Sequence, residues 1–411
     1  MYGIGSDSMS HVVVIGAGAS GMMAAIKLKR QNQTVTLIEK NNKLGKKILA
    51  TGNGRCNYTN LNAMPKHYNR PDFVSEVFSQ FGVKETVMFF ESLGIVPKVE
   101  DEGKTYPMSE QASSITEVLS HEIERLGVKV LLETSVLGIQ KKGRYELSLS
   151  TGSKITCDQV VISTGGKAMP KSGSDGFGYL LAKALGHTVT DVFPALVKLE
   201  LKSPHLKQID GVKVKGEVSL IHNNHVLQTE VGDILFTKYG ISGPTILQLS
   251  RKANQLLLEH QAIFLKVTLL MELDESKVMS RFFHLQDKTI ADALVGLIHK
   301  KLIHPLLEES GIKNHKALVK SVDPKTLGKL TRLMFDWRFM ATGFKGFDEA
   351  QVTAGGVSLL EINPKTLESK IQKGLYFTGE VLDVDGLCGG YNLQWAWSSG
   401  YVAACHAGEH K

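Results

Sequence analysis

At 411 residues the chain is too long for one ordinary core and suits two or three domains; 42% hydrophobic and 22% charged residues are ordinary for a soluble globular enzyme. No run of 18 or more apolar residues exists, so no transmembrane helix is expected. The net charge of +7 comes from lysines spread along the chain, which disfavours a nucleic-acid groove yet still steers anionic dinucleotides and acidic substrates.

Met1–Met9 is polar and reads as a disordered leader, with Met9 as an alternative start. His11–Ile15 is a β-branched run, hence a buried strand; Ser20–Gln33 reads as a helix and Thr34–Glu39 as the next strand. Together they make a βαβ unit. His11–Ile26 is not a secretory segment, because glycines at dinucleotide spacing interrupt it and no basic leader precedes it. Helical patterns follow at Asp72–Leu93 and Ala112–Leu126, and strands at Val128–Leu132, Tyr145–Ser150 and Lys154–Thr164.

From about Asp191 the texture changes. Leu196–Leu201, Val212–Ile221, His225–Thr229 and Ile263–Leu270 are β-like, with Asn223-Asn224 as a turn, and read as a small antiparallel sheet or barrel. Asp274 to about Phe335 is mostly helical by pattern (Ile290–Ile303 and Lys316–Val319, for example), with Pro305 and Pro324 as breaks. Near Ala350 the glycine-rich αβ texture resumes. The expected organisation is one nucleotide domain in two segments, 1–190 and 336–411, split by a β-rich insert, 191–273, and a helical insert, 274–335.

The first motif is Gly16-Ala17-Gly18-Ala19-Ser20-Gly21, directly after the first strand and opening a helix. The first glycine permits the turn, the second lets backbone approach a pyrophosphate, and the third lets helix and sheet pack closely. Glu39 answers it at the end of the second strand; a carboxylate there hydrogen-bonds ribose hydroxyls and repels a 2′-phosphate, favouring FAD or NAD over NADP.

Further motifs choose FAD. Lys43 to Asn57, with Gly45, Lys46, Thr51, Gly52, Asn53, Arg55, Cys56 and Asn57, has the composition of a loop gripping a polyanion. Val160–Gly166 is a strand closing on Thr164-Gly165-Gly166. Gly374–Glu380 reads as a strand delivering a carboxylate, Glu380 after Gly379, to the ribityl chain, and a helix starting near Asn392 would face its N–H groups to the flavin pyrimidine edge.

The stretches GAGASG, LGKKILATGNGRCN, STGG, GDILFTKYGISGP, TAGGV and GEVLDVDGLCGGYNLQWAW resemble the aminoacetone oxidase family of bacterial flavoproteins, also described as NAD(P)/FAD-dependent oxidoreductases, over nearly the whole chain. The resemblance implies an α/β fold: a glutathione-reductase-type FAD Rossmann domain, interrupted by a β-barrel-like domain and a small helical insert. It places non-covalent FAD on Gly16–Gly21, Glu39, Lys40, Gly45–Asn57, Thr164–Gly166 and a stretch from Gly379 through Gly390, Tyr391 and Asn392 to Leu393, with Val136 at the adenine. Glu380 departs from the wider flavoprotein pattern, which has Asp there.

The catalytic groups are not fixed by sequence. Cys56 and Cys388 are flavin partners or packing residues; Cys157 and Cys405 complete a set without a CxxC pair, which fits reduced thiols in the cytoplasm. Tyr391 is a ring neighbour or proton donor, or structural. Thr237, Tyr239 and Ser242, with Thr353–Val357, are expected at the substrate face, or else in a tight turn. None of the 14 histidines forms a metal-ligand pattern, and His187 reads as a helix-end residue. With no second GxGxxG, NAD(P)H is expected only as a transient co-substrate. The function expected is hydride transfer between flavin N5 and a small organic substrate; the alternatives are flavin-dependent RNA modification and a non-catalytic flavin sensor.

Overall fold

The computed structural model describes residues 10–408, so the leader Met1–Met9, including the alternative start, lies outside the described residues. Two compact units emerge, Met1–Phe193 with Gln351–Lys411, and Pro194–Ala350. Among the described residues no helix is long and apolar enough to cross a membrane.

In the first unit, Val12, Val13 and Val14 are wholly buried, as a parallel strand covered on both faces requires. Their strand, His11–Ile15, is the middle of a five-stranded parallel sheet in the order Leu375–Phe377, Gln159–Ile162, His11–Ile15, Thr34–Ile38, Lys129–Leu131. Helix Ala19–Arg30 crosses from the first strand to Thr34–Ile38, while Gln159–Ile162 returns on the other side. The strand order therefore reverses at His11–Ile15, and a crevice opens at the carboxyl ends of the strands there. A long C-terminal helix, Tyr391–Ala407, packs along Ala19–Arg30.

Two stretches differ from the sequence reading. Asp72–Leu93 is two helices, Pro71–Phe78 and Val83–Ser92, broken before Gly82, whose N–H is capped by Glu85. Lys154–Thr164 is two strands in different sheets: Lys154–Cys157 pairs antiparallel with Arg144–Leu149, and Gln159–Ile162 enters the central sheet. Between them Asp158 accepts the His11 N–H and pairs with Arg144, which fixes the change of direction.

The second unit is a closed barrel of six antiparallel strands in the order Leu199–Lys202, Gly240–Ser242, His225–Thr237, Lys213–His222, Ile263–Thr268, Trp337–Phe344. Asn223 and Asn224 are both left-handed, the conformation that closes a two-residue hairpin. The barrel takes its last strand, Trp337–Phe344, from beyond the helical insert, and the chain re-enters the first unit at Gln351 rather than 336. That strand carries Trp337 and Phe339 into the core beside Phe236. Ile290–Ile303 is interrupted, since Val295 is extended between Ile290–Leu294 and Lys300–Ser310; the Lys316–Val319 pattern yields only a short turn, Val319–Ser321.

Candidate active site

The crevice at the switch point is a cleft built wholly from the first unit. Its floor is the Gly16–Ser20 turn. Gly16 has φ +96°, and a Cβ there would stand 2.6 Å from the Ser163 carbonyl oxygen; one at Gly21 would stand 1.9 Å from the Gly16 oxygen. At Gly18 a Cβ would meet nothing within 4 Å, so the backbone there faces open cleft. Helix Ala19–Arg30 begins at Gly18 without a side-chain cap and without acidic residues in its first turn. Its first N–H groups thus await an anionic partner. Thr164 Oγ1, at the opposite lip, is buried and has no hydrogen-bond partner. A dinucleotide pyrophosphate fits this set.

Glu39 is buried at the end of the second strand. Its Oε2 accepts the Ala17 N–H at 2.8 Å, and its Oε1 accepts from the Asn41 backbone N and Nδ2 at 2.9 and 2.7 Å. Three donors fix the carboxylate while it lines the cleft, the arrangement that ribose hydroxyls need.

At the far end Glu380 reaches two partners. Oε2 pairs with Lys47 Nζ at 2.5 Å and Oε1 accepts the Thr353 N–H at 2.8 Å. Thr353 Oγ1 in turn accepts the Lys167 and Ala168 N–H groups at 2.7 and 2.9 Å, which ties the turn after Gly166 to the same point. The C-terminal helix starts after Gly390 (φ +97°) with no side-chain cap, and its Asn392, Leu393 and Trp395 line the cleft. Asn392 folds back, with Nδ2 donating to the Gly386 and Leu387 carbonyls, and Trp395 Nε1 donates to the Gly379 carbonyl.

Of the residues expected from sequence, Gly16 to Ser20, Glu39, Lys40, Lys46, Thr51, Val136, Thr164, Gly165, Glu380, Asn392 and Leu393 meet in this one cleft. Lys47 belongs to the loop the sequence singled out, whereas sequence reasoning missed Asn41, Thr134 and the Ser172–Asp175 turn, where Asp175 pairs with Lys40 at 2.7 Å. A signal existed for the last: Ser172-Gly-Ser-Asp175-Gly is a cluster of turn residues soon after the double glycine.

Other expected residues lie off the cleft lining. Gly21, Gly166 and Gly379 sit behind it, where a Cβ would strike Gly16, Thr353 and Ser20 respectively. Gly45 donates its N–H to the Ala17 carbonyl. The end of the basic loop turns away: Gly52, Asn53 and Cys56 are left-handed, and Asn57 Oδ1 accepts the Thr105 N–H. Arg55 stacks on Tyr106 at 4.1 Å and pairs with Glu100 and Glu110 at 2.8 and 3.1 Å. Its charge is spent on protein carboxylates.

The catalytic candidates are redistributed likewise. Cys56 is wholly buried, and burial pushes its thiol up to about 12, so it packs rather than reacts. Burial also raises the Cys388 thiol, which donates to Gln351 Oε1. Tyr391 is buried edge-on to His67 at 5.2 Å, outside the cleft lining, with burial holding its hydroxyl protonated. In the second unit, Thr237 ends the strand before a two-residue barrel turn, Lys238-Tyr239, and Ser242 is buried opposite Leu235; Lys345 Nζ lies 4.1 Å over the Tyr239 ring. His187 is locked between Glu361 and Ser369 at 3.1 and 2.8 Å, and burial lowers its pKa. Against the expectation of no metal pattern, His304, Glu308 and His315 converge in the second unit.

A family model described as the HI0933-like protein Rossmann domain matches residues 10–406. The chain belongs to this family of FAD-dependent Rossmann proteins. A 3-dehydro-bile acid delta(4,6)-reductase of Clostridium scindens is 40% identical over 409 residues, 98% of this chain and 100% of its own length. A ribosomal RNA dihydrouridine synthase of Escherichia coli is 32% identical over 400 residues, 95% of this chain and 96% of its own. Among solved structures, a 3-ketosteroid delta1-dehydrogenase from Sterolibacterium denitrificans aligns with a TM-score of 0.51 over 98% of this chain and 100% of its own; at 12% identity it shares the fold alone. The HI0933-like chain is an FAD-dependent oxidoreductase with a Rossmann-type FAD domain and a six-stranded barrel.

Proposed function

We propose that the protein reduces a carbon–carbon double bond conjugated to a carbonyl group in a small, largely apolar organic substrate, with NADH or NADPH as transient electron donor. One observation carries this reading: the 40% identity along both whole chains to a 3-dehydro-bile acid delta(4,6)-reductase. Double bonds at positions 4 and 6 are conjugated to a 3-oxo group. Dihydrouridine formation, in the name of the second relative, saturates a uracil double bond that is also conjugated to a carbonyl. Saturating either kind of bond delivers a hydride to the alkene carbon farther from the carbonyl along the conjugated system and a proton to the nearer one.

FAD, when bound and reduced, supplies the hydride. The chain's own groups hold and orient it. Gly16–Ser20 and the uncapped N-terminus of Ala19–Arg30 take the pyrophosphate. Glu39 takes the adenosine ribose, and Thr134 and Val136 border the adenine. Glu380, steadied by Lys47 and the Thr353 N–H, takes the ribityl chain. The N-terminus of Tyr391–Ala407 would set its dipole toward the pyrimidine edge and favour negative charge there.

The test is anaerobic. Bleaching of the flavin band near about 450 nm by NADH or NADPH, followed by its return on adding a 3-oxo-4,6-diene steroid, supports the reading. A second reading, dihydrouridine synthesis on RNA, is favoured by the full-length match to the ribosomal RNA enzyme and expects return of the band with ribosomal RNA and not with the steroid. Oxidation of an amine, as the aminoacetone oxidase resemblance implies, expects bleaching by the amine and oxygen consumption instead. The RNA outcome overturns the small apolar substrate, and the amine outcome overturns the reduction itself.

A further inference from the structure

In the second unit, helix Lys300–Ser310 places His304 and Glu308 four residues apart, one turn along the same face. His304 Nδ1 lies 3.3 Å from Glu308 Oε1. The chain then turns back, and His315 brings its ring edge-on to His304, with centroids 3.9 Å apart. One ligand atom from each of His304, Glu308 and His315 lies within 4.8 Å of the others. His315 Nε2 is buried and has no hydrogen-bond partner.

A second observation points into the same cluster. His205, from the turn after strand Leu199–Lys202, is 8% exposed, and its Nδ1 is buried without a hydrogen-bond partner. The other Glu308 oxygen, Oε2, lies 3.6 Å from it, just beyond bonding range. The neighbouring Glu309 is already committed, since its Oε2 accepts the Trp337 indole N–H at 2.7 Å. Two buried imidazole nitrogens, His205 Nδ1 and His315 Nε2, thus remain without a hydrogen bond.

We propose that His304, Glu308 and His315 bind one divalent transition-metal ion of the zinc class, with water completing the coordination. Two imidazoles and a carboxylate are a nitrogen-rich set that suits Zn²⁺ and its neighbours and does not suit Mg²⁺ or Ca²⁺. Zinc–nitrogen and zinc–oxygen bonds of about 2.0–2.2 Å require the three atoms to close to roughly 3.3 Å apart. His304 and Glu308 are on the surface, with side chains 58% and 40% exposed, and are able to rotate inward. His205 is a positioning residue: once Glu308 turns Oε1 to the ion, the His205 Nδ1–H donates to Oε2, the outer hydrogen bond that metal-bound carboxylates carry. The bound ion clips the His315 loop to the helix.

The test uses the full-length, FAD-loaded protein without a polyhistidine tag, stripped with chelator and titrated with zinc chloride. One zinc ion per chain is expected, not displaced by excess magnesium chloride. His304→Gln and His315→Gln should each weaken binding by at least about 100-fold. His205→Leu should weaken it about 10-fold, whereas His205→Gln, which keeps a donor, should restore it. The flavin spectrum and thermal unfolding of the metal-free variants check that each has folded. Sub-stoichiometric binding, or stoichiometric binding untouched by both His304→Gln and His315→Gln, overturns the proposal.

Discussion

Lys47 and Glu380, 333 positions apart in sequence, are joined by an ion pair of 2.5 Å at the edge of the cleft, and the same carboxylate accepts the Thr353 N–H. The pair binds the two sequence segments of the FAD unit together at the point where the ribityl chain is expected. Glutamate suits this double duty. Its extra methylene carries the carboxylate to both partners.

Glu380→Asp should shorten that reach and break the contact with Lys47 while leaving the charge. We expect weaker FAD retention and a loss of about 1–2 kcal/mol in stability, between the values for exposed and buried pairs. A double-mutant cycle with Lys47→Met and Glu380→Gln, read by denaturant unfolding, measures the coupling. Additive effects would show that the pair does nothing.

Two glycine substitutions separate fold from cofactor. Gly21→Ala sets a methyl 1.9 Å from the Gly16 oxygen, so helix and strand must part; a loss of about 3 kcal/mol or more is expected, with flavin lost as well. Gly18→Ala meets no protein atom, so it should leave apoprotein stability within about 1 kcal/mol while sharply weakening FAD binding. Equal behaviour of the two would contradict the role given to Gly18.

Glu39→Gln removes the charge but keeps the side-chain length. With its three donors then facing a neutral amide, FAD affinity should fall by about 10–100-fold, as measured by flavin fluorescence on titrating apoprotein. Arg55→Ala is the contrast. Arg55 serves Glu100, Glu110 and Tyr106, so FAD affinity should change by less than about two-fold.

Cys56 and Cys157 are both wholly buried, and burial raises each thiol from 9.0 to about 12. Above pH 9 the unfolded chain ionises these thiols while the folded chain does not. Their contribution is fully present below that pH and is lost as pH rises toward about 12. Stability should fall by about 1.4 kcal/mol per pH unit for each thiol in that window. Cys157→Ala should flatten the decline by one thiol's share, read by urea unfolding between pH 8 and 11. An unchanged slope would contradict it.

The parts of the site legible in the sequence are those where backbone geometry dictates the residue. Gly16 and Gly21 are glycines because a Cβ would collide, and Glu39 follows at the end of the adjacent strand. Composition was a poorer guide. The loop through Arg55 has the residues of an anion grip, yet a guanidinium facing a phosphate and one facing Glu100 read alike, and Glu100 lies 45 positions away. Thr134 and Lys47's partner depend on the tertiary fold, which no local spacing encodes, whereas Ser172–Asp175 showed only as a turn without its place at the cleft. The barrel had a similar blind spot, since its closing strand Trp337–Phe344 lies beyond four helices, and its pairing with Leu199–Lys202 reveals it.

The most direct measurement is a single anaerobic turnover. Protein-bound FAD is reduced with one equivalent of NAD(P)H, mixed with a 3-oxo-4,6-diene steroid, and followed by absorbance and product mass. One steroid should gain two hydrogens for each flavin reoxidised. A reduced flavin that the steroid leaves unchanged, but that oxygen or RNA reoxidises, would contradict it.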